Sequence, residues 1–367
     1  MFALAPLLPA IQRDLDVSFV ALGAILTASN VATAALQTPM GILVDRIGAR
    51  RVLIGGLFLT SAAFGLAGFT SSYWALLVLF LVAGAGNSVF HPADYVILTA
   101  SVDDRRHGKA YSMHSFGGSL GTAAGPATMA LLLTVTDWRS ALMYTGLLGV
   151  VLSLVFVFSG DTLREDARRK ETRKGVVPLR SMVNRAVILL FLFYALTSAA
   201  NISMTGFAAI LLPQLYDVSI QTASYLLSVL LFSTAAGTLF GGWMADRTAR
   251  HDLVLVLAFG LYGTLLALVG TAALPVVAVG GALLIGGFAR GIVNPARDIM
   301  VREAAPAGAL GTVFAFVSTG FNIGQGAAPI AYGALLDGGL THEVLYLSAI
   351  FMFLAIGLLL FSRDRRM

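Results

Sequence analysis

The chain has 367 residues, of which 57% are hydrophobic and 12% charged, and its mean hydropathy is +0.85. A soluble domain carries about 25% charged residues, so the composition excludes a water-soluble globular protein of this length. The absence of cysteine excludes disulfide frameworks, thiolate metal sites and cysteine nucleophiles.

The first apolar stretch, Phe2 to Ile11, would rise only about 15 Å as a helix, half of the roughly 30 Å hydrocarbon core. It does not span alone, and no basic segment precedes it as in a signal peptide. It reads either as the truncated remainder of a first transmembrane helix or as a peripheral half-helix. After the polar turn Gln12 to Ser18, spans are expected at 19–44, 52–69, 73–100, 109–134 and 139–159, then at 186–212, 220–245, 252–272, 275–300, 310–335 and 342–362. With the short first one these make twelve. The polar segment Gly160 to Arg185 reads as a cytoplasmic linker, solvated or lying as an amphipathic helix on the membrane. The expected organisation is a six-helix bundle over 1–159, a linker over 160–185 and a second six-helix bundle over 186–367.

The net charge of +5 raises nucleic acid as a partner, but the placement of the charges decides otherwise. Of 24 Lys and Arg, Arg13 and Arg139 fall in loops of one parity, Arg290 and Arg297 inside a span, and the rest in or beside loops of the other parity. This positive-inside bias implies a multi-pass protein of the inner membrane with its basic loops and C-terminus in the cytoplasm. A nucleic-acid binder would show a basic face interleaved with aromatics.

Between the second and third spans runs Gly41-Ile42-Leu43-Val44-Asp45-Arg46-Ile47-Gly48-Ala49-Arg50-Arg51, a tight, charged connection. A similar run, Gly242-Trp243-Met244-Ala245-Asp246-Arg247-Thr248-Ala249-Arg250-His251, recurs about 200 residues later, so one six-helix unit is used twice. The pattern resembles the signature loop between helices two and three of the major facilitator superfamily. That resemblance implies an all-helical fold of two bundles around a cavity. It also implies a conformational latch formed by Gly41, Asp45, Arg46, Gly48 and Arg50, with Asp246 and Arg247 as a weaker counterpart.

In the fourth span, Asn87, His91 and Asp94 fall at i, i+4 and i+7, one face of a helix. Polar and charged groups at membrane depth are costly and default to functional hypotheses, so this stripe is expected to line the cavity as a proton relay or substrate contact. Asp94, near the end of the span, alternatively caps a helix or pairs with Arg105 or Arg106. Pro92 removes a backbone donor and should kink the helix, freeing the carbonyl of Ser88. In the tenth span Arg290, Asn294 and Arg297 repeat the spacing, with Asp298 beside them. Arg290 would offer a fixed positive charge to an anionic substrate, or else pair with Asp298 or reach the interface.

Gly84-Ala85-Gly86-Asn87-Ser88-Val89-Phe90-His91-Pro92, Arg106-His107-Gly108-Lys109-Ala110 and the helix-packing motif Gly121, Gly125 and Pro126 of the fifth span resemble the fosmidomycin-resistance branch of the superfamily. Proton-driven efflux is what this implies. The chain departs from the pattern of proton-coupled exporters at Phe80, where many carry arginine, and at Met129 and Ala130, where antiporters usually carry glycine. Asn30, Gln37, Asn201, Asn322 and Gln325 read as interhelical hydrogen-bond partners rather than ligand contacts.

The five histidines, His91, His107, His114, His251 and His342, lack metal-ligand spacing, and no phosphate-cradling loop occurs. No enzyme activity and no cofactor or metal are expected. The expected function is proton-coupled efflux of a small organic molecule by a monomer in the bilayer. Import of an organic anion, or a transport-inactive sensor or scaffold, are the alternatives.

Overall fold

The computed structural model describes residues 2–101, 107–158, 185–245, 247–248, 250–304 and 310–363. Most of the expected linker, and Asp246, Arg105 and Arg106, lie outside the described residues, as does the side chain of Asp45. Among the described residues every regular element is helical. A 3-10 turn over Phe2–Leu7 leads into a short helix, α1 (Leu8–Leu15), which together make the short first element. Then follow α2 (Phe19–Ile47), α3 (Ala49–Ala67), α4 (Tyr73–Asn87), α5 (Phe90–Ser101), α6 (His107–Leu132) and α7 (Trp138–Phe158). The second set is α8 (Arg185–Tyr216), α9 (Ile220–Ala245), α10 (His251–Gly270), α11 (Val276–Ala304), α12 (Leu310–Asp337) and α13 (Thr341–Arg363).

Nine stretches of the described residues are long and apolar enough to cross a membrane, α4 and α5 counting as one. The helices α6 and α12, of 26 and 28 residues, have spanning length but more polar sequences. The expected fourth span is a broken one: the helix stops at Asn87 and restarts at Phe90. Pro92 has no N–H to donate to the carbonyl of Ser88, and the Ser88 hydroxyl turns back to donate to the carbonyl of Ala85 at 2.6 Å.

Packing inside each set repeats. In the first, α4 packs on α2 and α3, and α3 on α7; in the second, α11 packs on α9 and α10, and α10 on α13. The sets meet along α2 on α12 and α6 on α9, and the short first element packs on α8. Lipid gives helices no hydrophobic reason to associate, so close approach of small residues takes over. A Cβ on Gly84 would fall onto the carbonyl of Ser29 in α2, and one on Gly287 onto the carbonyl of Leu230 in α9, the same contact in both sets.

These glycines make a matched test. Overpacking of this kind costs about 1–3 kcal/mol, so Gly84→Ala should lower the midpoint of unfolding in detergent. Gly281→Ala, whose added Cβ meets no atom within 4 Å, should leave it unchanged or slightly raised.

Candidate functional site

The seam between α2 and α12 is closed at one end. Asp337, the last residue of α12, places Oδ1 2.6 Å from the amide of Phe19 and Oδ2 2.9 Å from that of Val20, both of which donate to it. The next amide, Ala21, donates to the hydroxyl of Ser18 at 3.1 Å. The first turn of a helix leaves its amides unsatisfied and carries partial positive charge, so a carboxylate from the other set is a strong partner there. Further along, a Cβ on Gly333 would lie 2.5 Å from the carbonyl of Phe19. Thr27 then donates to the carbonyl of Gly326 at 2.6 Å, and Asn30 to that of Gln325 at 3.1 Å.

Beyond this seam the two helices part around a cavity of about 540 Å³. From the first set, α2 presents Leu26, Asn30, Thr33 and Gln37, the broken fourth span Asn87 and His91, and α6 Thr122. From the second, α8 presents Ile202, Thr205 and Gly206, and α12 Ser318, Phe321, Asn322 and Gln325. The polar lining residues Ser318, Asn322 and Gln325 explain why α12 is less apolar than its neighbours. Thr33 accepts from the amide of Asn87 at 3.5 Å, and its hydroxyl lies 2.9 Å from the carbonyls of both Ser29 and Gly84, either of which can take its one proton.

The expected polar stripe of the fourth span is thus split. Asn87 and His91 line the cavity, whereas Asp94 stands outside the lining with its Oδ2 3.3 Å from Nε2 of His114 in α6. The stripe of the tenth span does not reach the cavity. Asn294 donates to the hydroxyl of Thr238 at 3.1 Å. Arg290 lies beside Tyr262 of α10, and its Nη1 is buried without a hydrogen-bond partner. Arg297 stacks over Tyr194 at 4.3 Å and has Nε 3.5 Å from Asp298, whose Oδ1 also accepts from the Tyr194 hydroxyl at 3.2 Å. The cause is the orientation of α11: Gly287 and Gly291 lie flush against α9, which turns the arginines toward α8 and α10.

Four of the five amides read as interhelical partners, Asn30, Gln37, Asn322 and Gln325, line the cavity. Asn201 does not, and its Oδ1 is buried without a partner. The sequence marks no role for Thr33, Thr122, Thr205 or Ser318; the signal of Thr33, Thr205 and Ser318 is a hydroxyl one turn from one of those amides, and Thr122 carries no such signal.

Comparison with known proteins decides the family, since the sequence profile described as Major Facilitator Superfamily matches residues 1–219 and 191–367. The chain belongs to the Major Facilitator Superfamily. Its relatives include the fosmidomycin resistance protein of Escherichia coli, 26% identical with 98% of this chain and 87% of that protein covered. The uncharacterized MFS-type transporter YfnC of Bacillus subtilis is 28% identical, with 92% and 83% covered. A mutant of the nucleoside transporter NupG shares the fold, with a TM-score of 0.83 at 14% identity over 98% of this chain and 95% of that one. The resemblance read from the signature loop and the phenylalanine-histidine-proline segment is borne out.

In this superfamily member the signature connection shrinks to one residue. Where a loop over 45–51 was expected, α2 continues through Asp45 and Arg46 to Ile47, and α3 begins at Ala49. Gly48 alone makes the turn, at φ 98°, where a side chain would be strained. Gly41 faces Pro92, with a built Cβ 3.9 Å from that ring. Arg50 reaches from the first turn of α3 to the end of α7, donating to the carbonyls of Phe156 and Val157 at 3.2 and 3.0 Å. Arg46 is exposed. Arg247 lies 4.3 Å over the ring of Trp243 and donates to its carbonyl at 3.2 Å. Of the packing motif in α6, a Cβ built on Gly125 would lie 3.5 Å from the Cβ of Ala3, and Pro126 is buried. A Cβ on Gly121 would meet nothing within 4 Å, so Gly121 provides no close contact in this conformation.

Because the chain has no cysteine, single introduced thiols report on one position each. A thiol at Gln325 should react with a water-soluble maleimide about tenfold or more faster than one at the fully buried Ser203, since reactivity follows exposure. Mass shift after timed quenching measures it.

Proposed function

We propose that this chain is a secondary transporter that exports a small organic molecule in exchange for protons by alternating access. It does so from a multi-pass position in the inner membrane, with its basic loops and C-terminus in the cytoplasm. The observation that carries the reading is the cavity itself, built equally from the two sets of helices and closed toward the Phe19 end by the α2–α12 seam. The halves would be the bundles on either side of the 160–185 segment. Rocking them about the cavity would break the Asp337 contact at one end while the Asp45 end closes.

His91 is the proton-carrying candidate, because it is the ionisable side chain among the described lining residues and imidazole changes charge near neutral pH. Asp94 and His114, paired one turn away, offer the next stop toward the basic side of the membrane. Gly48 and Arg50 hold the signature corner rigid, so that Asp45 and Arg46 move with α2 as the latch. The alternative of an organic-anion importer loses its motivating contact, since Arg290 faces Tyr262 rather than the cavity.

Two measurements test this. In cells lacking their own pumps, the chain should confer resistance to part of a panel of uncharged drugs. His91→Ala should then reduce that resistance, and the accompanying proton flux in vesicles, by about tenfold or more. Retention of both would remove His91 from the coupling path. Asp337→Ala should remove about 1–2 kcal/mol from the closed seam at this exposed end, enough to shift a two-state balance about tenfold. A thiol at Gln325 should then become reactive from the Phe19 side of sealed vesicles; unchanged sidedness would count against alternating access through this seam.

A further inference from the structure

Among the described residues, the charged side chains near the cavity share one property: none of them lines it. Asp94 is held by His114, Arg297 by Tyr194 and Asp298, and Arg290 lies against Tyr262. No Asp, Glu, Lys or Arg occurs among the described lining residues. What lines the cavity instead is carboxamides, from Asn30, Gln37, Asn87, Asn322 and Gln325, accompanied by hydroxyls. Carboxamides offer donors and acceptors in equal measure, the pattern that vicinal hydroxyls and amides require. A fixed ligand charge would have no counter-charge here, and an unpaired charge out of bulk water is strongly disfavoured. Phe321, Leu26 and Ile202 add one apolar wall, and 540 Å³ lies within the range that holds a drug-sized ligand.

From this charge-free lining we infer the substrate class: a neutral solute rich in hydroxyl or amide groups and bearing one aromatic or aliphatic face, of which an aryl glycoside is the simplest form. The inference rests on the transport reading above and names the chemistry of the same cavity. The carboxamides bind the polar edge, Phe321 covers the apolar face, and the His91 ring lies beside the polar edge.

The test is an isosteric series on the purified full-length protein: 4-nitrophenyl β-glucoside, its glucuronide and its glucosaminide, with the nearly constant shape carrying no charge, a negative charge or a positive charge. Binding is read as thermal stabilisation, because a ligand that binds only the native state raises its stability. The glucoside should bind about tenfold or more tightly than either charged analogue, since an unpaired charge is disfavoured in such a site. Asn322→Asp, which places a carboxylate in the lining, should turn the preference toward the glucosaminide. Equal or tighter binding of the glucuronide or glucosaminide by the wild type overturns the inference, as does stabilisation by none of the three. So does an Asn322→Asp variant that folds with an unchanged order of preference. The vesicle thiol sidedness test uses no ligand, so alternating access can stand when this inference falls.

Discussion

The arrangement depends on how α2 and α12 are held together over the first half of α2 and apart over the second. Asp337 meets two amides at the start of α2 that no helical carbonyl can satisfy, and it brings a negative charge to the positive end of that helix. A carboxylate at the C-terminus of its own helix is badly placed electrostatically; facing the neighbour's N-terminus removes the conflict for both helices. Gly333 and Gly23 let the backbones touch behind this contact, and hydroxyl and amide bonds from Thr27 and Asn30 carry the seam inward. The cavity begins where the seam ends, so its position follows from the length over which these contacts are possible.

A second constraint lies within each set of helices, where backbone contact at glycine replaces the hydrophobic drive that water would supply. Gly84 on Ser29 and Gly287 on Leu230 are the same contact used twice, and the surrounding pairings repeat with it. The sets differ at the next turn. Gly291 lets α11 press on α9, and α11 stays continuous through Pro295, whereas the first set carries Ser88 before Pro92 and the helix breaks. That break presents His91 to the cavity, and the unbroken α11 turns its arginines away from it.

Much of this was legible in the residues. The all-helical membrane fold, the repeat and the family followed from apolar lengths, loop charges and the Asp45-Arg46 and Asp246-Arg247 runs, because a bilayer enforces length and sidedness strongly enough to mark the sequence. Asn87 and His91 were legible for the same reason, as polar groups at membrane depth. Arg290 and Asn294 were legible as a stripe but not as to where the stripe faces. Periodicity gives the face of a helix and leaves its rotation against its neighbours open, and that rotation is set by Gly287 and Gly291. The amides Asn30, Gln37, Asn322 and Gln325 were read as packing partners because one carboxamide serves a neighbouring helix and a ligand with the same atoms. Asp337 was invisible because an acid at the end of a span looks like an ordinary loop residue until its spatial partner is known.

If the proposed exchange of uncharged cargo for a proton runs through the one imidazole among the described lining residues, the returning proton would be the sole carrier of charge. Each turnover would then displace one elementary charge across the bilayer, worth about 2.3 kcal/mol for every 100 mV. Voltage would therefore power the cycle even where the two compartments share the same acidity, and the exchange would register as an electrical current.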